Sequence, residues 1–192
     1  MAVRSGFFDS IDGDRMYSAD DLSNFFYSIF TNGVCYVPEN CLKVITFSGM
    51  SVKVCPGYAL INGKYLINDA SLSLAIPDAD DLYSRIDRIV IRIDTSARSI
   101  SIEVRQGTPA QSPEPPVLSR SGGVYELSVA QILVEAGTHE ITTITDERDD
   151  ESVCGFITFR GRGGTPDSFQ YYGTVTDMIT GVFGFSGSLI PE

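Results

Sequence analysis

The chain has a single histidine, His139, so any catalysis that needs an imidazole would depend on it. This residue lies in the stretch AGTHEI, which has the composition of a turn, and no G-x-S-x-G sequence is present to place a serine nucleophile. A cysteine nucleophile would need the same histidine as its base. The sequence therefore does not predict a serine or cysteine hydrolase.

Carboxylates are abundant, and a pair of them can act as acid and nucleophile in glycoside hydrolysis. Neighbouring carboxylates occur at four places: Asp12 with Asp14, Asp20 with Asp21, Asp80 with Asp81, and 149–151. All lie in predicted loops or in the first turn of a predicted helix, where carboxylates are typically solvated or cap the backbone. The chain has no tryptophan to stack on a sugar, although tyrosine can take that role. A hydrolase of cell-wall glycan is therefore the weakest functional interpretation.

Three other patterns could hold an ion or a phosphate, and each lacks the necessary spacing. DSIDGD does not place its acids at the alternate positions of an EF-hand loop, and GRGG lacks the lysine of a phosphate-binding loop. The cysteines have no C-x-x-C pair for zinc: Cys35, Cys41, Cys55 and Cys154. We expect buried free thiols, although Cys35 and Cys41 are close enough in sequence for a disulfide to be conceivable. We predict no catalytic residue, no cofactor and no metal.

The formal net charge of −11 argues against a nucleic-acid-binding surface and against docking on anionic lipid. No apolar run approaches the ~20 residues of a membrane-spanning helix. The first residues, MAVRSGFFDSIDGD, lack the apolar core of a signal peptide. We expect a protein that is made in a cytoplasm and is not inserted into a membrane.

The stretch SRIDRIVIRIDTSARSISIEVRQG sets five arginines among alternating isoleucines and valines. This period of two predicts a β-hairpin around the turn DTSARS. Its apolar face is expected to consist of Ile89, Ile91, Ile93, Ile100, Ile102 and Val104. We expect Ile91→Ala to destabilise the fold by roughly 2–5 kcal/mol.

The arginines of this hairpin are expected on its opposite face. Arg88, Arg92 and Arg105 would then form the outer side of a sheet, within reach of Asp94 and Glu103. The alternative is that this side meets a neighbouring acidic subunit. For an outer position, Arg88→Ala should cost far less than Ile91→Ala.

One segment has a helical period, and it predicts a helix over about residues 19–30. Ser18 can cap its first turn, and the sequence Thr31-Asn32-Gly33 is expected to end it with a left-handed residue. Its apolar stripe is unusually aromatic: Leu22, Phe25, Phe26, Ile29 and Phe30. This stripe is expected to pack into the core of its own domain or against a neighbouring subunit.

The remaining pattern is one of short strands and turns. Asn62-Gly63 is a strong hairpin signal, VYELSVAQILVEAG and HEITTIT read as strands, and the proline-rich GTPAQSPEPP predicts an extended surface loop or arm. We predict a mainly β fold, an antiparallel β-sandwich or barrel-like module with one N-terminal α-helix and a short C-terminal extension. The module would comprise residues 1–159 and the extension 160–192.

The extension is rich in glycine and in apolar residues. It is too short to build a core of its own, and it carries too much apolar surface for a solvated terminus. We expect it to pack against another chain, with the edge strands of its own domain as the alternative. Its expected anchors are Tyr171, Tyr172, Phe183 and Phe185.

Four segments carry a resemblance to known proteins: FFDSIDGDRMYSADDLSNFFYSIFTNGV, MSVKVCPGYALINGKYLIND, SRIDRIVIRIDTSARSISIEVRQGTP and VYELSVAQILVEAGTHEITTITDER. In this order they resemble tail-tip or baseplate structural proteins of tailed bacteriophages and prophages of Gram-positive bacteria, of the upper-baseplate or tail-fibre attachment type. The resemblance covers about residues 7–159 and carries no catalytic residues.

The resemblance implies a non-enzymatic virion protein of the tail or baseplate, synthesised in the host cytoplasm. Its partners would be further copies of itself, as a trimer or higher ring, and other tail or baseplate proteins. Phe25, Phe26 and Phe30 are the candidates for contact in the module. The alternative function is a carbohydrate-binding module that recognises a glycan on the host surface.

Overall fold

The computed structural model of the chain describes residues 6–14 and 16–160. Within these ranges one helix is followed by short strands, which confirms the mainly β class with an N-terminal helix. The elements are α1 (Ala19–Ile29), β1 (Gly33–Val34), β2 (Val44–Thr46), β3 (Ser51–Val54), β4 (Gly57–Ile61), β5 (Lys64–Asn68), β6 (Leu72–Ala75), β7 (Arg85–Asp94), β8 (Ser99–Arg105), β9 (Val124–Val134) and β10 (Thr143–Asp146).

The described strands form three antiparallel sheets around one hydrophobic core. Their strand orders are β1-β4-β5, β2-β3-β6 and β10-β9-β7-β8. Each sheet contributes buried aliphatic side chains to the same cluster, among them Ile61 from the first, Val52 from the second and Ile91 from the third. This arrangement agrees with the sandwich-like antiparallel module that the alternating pattern predicts.

The predicted hairpin is confirmed as β7 and β8, with the expected faces. The paired residues on its core side are Ile89 with Val104, Ile91 with Ile102, and Ile93 with Ile100. Asp94 closes the turn, because its carboxylate accepts hydrogen bonds from the backbone N–H groups of Ser96 and Ala97, both at 2.9 Å. Local turn chemistry and strand period therefore agree on the register.

The expectation that Arg88 and Arg92 form an outer or intersubunit surface is wrong. Arg88 is only 9% exposed and forms an ion pair with Glu147 at 3.1 Å, and Arg92 pairs with the buried Glu126 at 3.0 Å. A period of two shows that the two faces differ, but it does not show that the second face meets water. The acidic partner lies in the same chain.

Residues 107–120, the proline-rich strap, help to cover this second face. The Arg88 guanidinium donates to the Pro116 carbonyl at 2.8 Å, and the Ser119 N–H donates to Glu126 at 2.7 Å. Gly107 begins the strap where a Cβ atom would lie 2.1 Å from the Ile86 carbonyl oxygen. The predicted surface arm is thus an extended segment fixed to the sheet by buried charges.

The helix begins where the sequence predicts and ends differently. Ser18 and Asp21 form a capping box at its start. The residue after the last turn, Phe30, is extended at φ −112°, so the helix does not end in a left-handed Asn or Gly. Gly33 instead allows close strand packing, because a Cβ atom there would lie 2.5 Å from the Gly155 carbonyl oxygen.

Candidate interaction surface

Helix α1 presents its aromatic stripe outward. No residue of the helix is buried among the parts of the chain that the structure describes, and Phe25 and Phe26 are 42% and 37% exposed. The expectation that the stripe packs into its own domain's core is therefore wrong for these residues. The side of the helix that carries Ser23 faces the β4–β5 hairpin. The side that carries Phe25 therefore points away from the core.

Ring contacts and a shared groove join a set of aromatic residues, which we call the aromatic face: Phe7, Tyr17, Phe25, Phe26, Phe30, Tyr58, Tyr65 and Phe159. Phe30 is half-buried, and the other rings are exposed. Phe7 stacks on Tyr17 at 5.9 Å and meets Phe25 edge-on at 4.7 Å. Phe30 continues the series to Phe159, with ring centroids 5.1 Å apart. These contacts orient the rings relative to one another, which favours a preformed surface.

Polar contacts fix the first turns of the helix to the β4–β5 hairpin. The Lys64 ammonium group donates to the Ser23 hydroxyl at 2.9 Å and to the Asp20 carboxylate at 3.1 Å. The turn before Lys64 is the predicted type of hairpin turn, with φ 50° at Asn62 and 73° at Gly63. A Cβ atom at Gly63 would lie 1.8 Å from the Ser23 carbonyl oxygen, so only glycine permits this approach.

The far end of the helix is held by the last described residues. The Thr31 N–H donates to the Thr158 carbonyl at 2.8 Å, and the Thr158 N–H donates to the Thr31 hydroxyl at the same distance. The Arg160 side chain donates to the Phe30 carbonyl at 2.6 Å and lies over the Tyr27 ring. The helix is thereby clamped between two parts of the chain that are distant in sequence.

An apolar groove lies in the aromatic face, between α1 and the outer side of the β4–β5 hairpin. Its volume is about 240 Å³. It is lined by Phe26, Phe30, Tyr58, Leu60, Tyr65 and Ile157, together with Ala59. Among residues 6–14 and 16–160, no charged side chain lines the groove, and its walls suit an apolar or aromatic side chain.

Three predicted contact residues, Phe25, Phe26 and Phe30, thus meet in one face. The other predicted anchors, Tyr171, Tyr172, Phe183 and Phe185, lie outside the described residues. Sequence reasoning missed Phe7, Tyr17, Tyr58, Tyr65 and Phe159. A signal existed for Tyr58 and Tyr65, because YALI and KYLI are apolar at nearly every position, and such strands place apolar side chains on both faces of a sheet.

The candidate catalytic groups are not gathered into a site. His139 is exposed, and Asp80 caps a turn. The Asp80 carboxylate accepts hydrogen bonds from the backbone N–H groups of Leu82 and Tyr83, and these bonds lower the pKa of the Asp80 carboxyl. The pKa of Asp150 is lowered in the same way by hydrogen bonds from Ser152. These carboxylates stabilise turns, as their sequence positions predict.

The described cysteines are all free thiols. Burial raises the pKa of the Cys154 thiol to about 12, which keeps it protonated at neutral pH. Burial and the neighbouring Cys41 raise the pKa of Cys35. Within residues 6–14 and 16–160, no group of three or more His, Cys, Asp or Glu side chains is arranged to hold a metal ion.

The 11-residue α1 is much shorter than the ~20 residues that cross a bilayer, and the described part of the chain contains no helix that could do so. Comparison with models of known protein families finds none that matches the chain, and comparison with curated protein sequences finds no match either.

Proposed function

We propose that this chain is a non-enzymatic structural protein of a phage tail tip or baseplate. It assembles with further copies of itself and with other tail proteins through the aromatic face, and it connects the tail to receptor-binding parts. The single observation that carries the proposal is an aromatic helix with no residue buried by the described part of the chain, hydrogen-bonded to the β-module at both ends. The resemblance of residues 7–159 to tail-tip proteins supplies the biological setting.

The number of exposed rings in the aromatic face supports an assembly role. Contiguous apolar patches beyond a few hundred Å² are rare on monomeric proteins and mark interaction sites. Burying one phenylalanine side chain stabilises an interface by roughly 1.5–3 kcal/mol before the costs of association. Phe7 and Phe25 are each more than two-fifths exposed, so much of this free energy is available to a partner.

The rigidity of the face supports the same role. Both ends of α1 are tied to the β-module through Lys64 and Thr158. A surface that is already ordered loses little conformational entropy on binding. Such a surface suits a permanent virion contact.

The proposal is tested in particles and in solution. We expect antibodies against the chain to label the tail tip of purified tailed particles in electron micrographs, and sedimentation to give a mass of several chains for the purified protein. Phe26→Ser should shift the protein toward monomer, whereas Tyr83→Ser, which changes a similarly exposed ring in another loop, should not. A monomeric wild-type chain that is absent from particles would contradict the proposal.

A carbohydrate-binding function is the second candidate, and one observation favours it. Tyr58 and Tyr65 are exposed on adjacent strands, where their rings could stack on a sugar. The described lining of the groove beside them includes no charged side chain to recognise sugar hydroxyls, which favours a protein partner. A glycan array with the purified chain separates the two functions: specific binding that is lost in Tyr65→Ala would favour sugar recognition.

A further inference from the structure

The apolar groove of the aromatic face has a rim built by the end of the described chain. Ile157 lines the groove, and the next aromatic residue, Phe159, packs on Phe30. Arg160 is fixed to the Phe30 carbonyl at 2.6 Å. The described part of the chain therefore ends at Arg160, beside the groove.

The composition of residues 178–191 matches the groove. No charged residue occurs between Asp177 and Glu192, and the intervening sequence is MITGVFGFSGSLIP. This stretch combines Phe183 and Phe185 with glycines and aliphatic residues, while the groove has aromatic and aliphatic walls. An uncharged apolar segment and an uncharged apolar groove are complementary, since no ionic group has to lose its water on contact.

We propose that the groove binds residues 178–191 of a neighbouring copy of this chain, with Phe183 or Phe185 as the inserted side chain. The inference rests on the proposed function, because it names the partner of the same face. Each copy supplies one groove and one segment. Repeated donation in one direction is a heterologous contact, and it closes into a ring when the rotation between copies permits.

The length of the segment permits this exchange. At about 3.3 Å per extended residue, residues 161–182, which precede Phe183, can span at most roughly 70 Å. A folded module of about this size has a radius of gyration of roughly 15 Å, so the segment can reach the groove of an adjacent copy.

The test uses the full chain with a photoreactive benzoylphenylalanine in place of Tyr65, a groove residue that is 73% exposed. Unlabelled and ¹⁵N-labelled copies are mixed in equal amounts, equilibrated and irradiated. Trypsin cleaves after Arg162, and no lysine or arginine follows it, so residues 163–192 are released as one peptide. Mass spectrometry then identifies which peptide is joined to residue 65 and whether the two carry different labels.

We expect residue 65 to be joined to the 163–192 peptide. In a large share of the products, one of the two joined peptides should be unlabelled and the other ¹⁵N-labelled. Cross-links to this peptide with matched labels only would overturn the exchange, because they arise within one chain. Cross-links to any other peptide of an oligomeric protein would overturn the choice of occupant while leaving self-assembly intact. A protein that sediments as a monomer and is absent from particles would instead remove the proposed function.

Paired variants test the same contact without a photoreactive group. Phe183→Asp combined with Phe185→Asp should raise the dissociation constant of the oligomer about tenfold or more, since buried aromatic anchors dominate interface affinity. Tyr65→Glu should have a similar effect from the groove side. Tyr83→Glu is the control, because Tyr83 is 48% exposed in the loop before β7, and it should leave the constant unchanged. An unchanged constant in all variants would overturn the inference.

Discussion

At the scale of single residues, the clearest departure from the sequence pattern is Arg88, which was predicted on an outer surface and is buried. Arg88 lies against Glu147, whose carboxylate also accepts hydrogen bonds from Ser128 and Gln131. The guanidinium and the carboxylate are both nearly excluded from solvent. Such a pair adds little net stability compared with apolar residues, but breaking it leaves one buried charge without its partner.

The first prediction concerns this pair. Arg88→Ala should lower the free energy of unfolding by about 3–5 kcal/mol, because it leaves the buried Glu147 uncompensated. This is comparable to the roughly 2–5 kcal/mol expected for Ile91→Ala, and it replaces the sequence-based expectation of a small effect. Urea denaturation of both variants measures the difference.

Arg105→Ala is the matched control for this measurement. The Arg105 side chain is 41% exposed and lies 3.6 Å from Glu126, so its removal should cost less than about 1 kcal/mol. If Arg88→Ala cost no more than Arg105→Ala, the strap would not exclude water from Arg88 in solution.

The second prediction is a pH dependence at Asp146. Burial alone would raise the pKa of this carboxyl, but hydrogen bonds from Arg148 outweigh burial and lower it below its ordinary value of 3.8. A lowered folded-state pKa stabilises the fold at pH values above the unfolded pKa, and this contribution is lost as pH falls through the folded value. Wild type should therefore exceed Asp146→Asn in stability at pH 7, and the difference should shrink below about pH 4.

Denaturation curves at several pH values measure this difference. Asp69→Asn provides the comparison, because Asp69 is an exposed carboxylate before β6. A difference between wild type and Asp146→Asn that stayed constant from pH 7 to the acid limit would show that the Asp146 charge is not the cause.

At the scale of elements, local signals fixed the starts and turns. The capping box at Ser18 and Asp21 and the hairpin turn at Asn62-Gly63 involve residues close in sequence, and both were predictable. The end of α1 was not predictable, because Thr31 is hydrogen-bonded to Thr158, near the other end of the described chain. The outward direction of the aromatic stripe of α1 was not predictable either, because periodicity identifies an apolar face without identifying what covers it.

The third prediction uses the helix cap. Ser18→Ala should lower the stability of α1 by about 1 kcal/mol, because it removes the hydroxyl that accepts a hydrogen bond from the Asp21 N–H. Since α1 contributes no buried residue, the loss should be local: hydrogen exchange should accelerate in 19–29 and stay unchanged in β7 and β9.

Ser28→Ala serves as control for the cap, because the Ser28 hydroxyl only donates back to the Phe25 carbonyl within the same helix. It should leave exchange rates in the first turn of α1 unchanged. Equal acceleration in the central strands of Ser18→Ala would mean that the helix and the sheet unfold as one unit.

At the scale of the whole molecule, apolar attraction and like-charge repulsion act together. The chain carries a formal net charge of −11, so copies that associate bring negative charge together. Several arginines, including Arg85, are already neutralised by carboxylates of the same chain and cannot offset this charge at an interface. In the proposed assembly, the aromatic face therefore has to supply the attraction between copies.

The last prediction follows from this balance. Raising the salt concentration from about 0.05 to about 0.5 M should strengthen self-association, because salt screens the repulsion between acidic copies and does not weaken apolar contacts. Sedimentation velocity across the salt series measures the dissociation constant. Phe26→Ser should associate more weakly than wild type at every salt concentration, because it removes apolar area from the groove. Its self-association should still strengthen as the salt concentration rises, because the variant leaves the charge unchanged. Dissociation of wild type with rising salt would contradict an aromatic interface and would indicate that ion pairs hold the copies together.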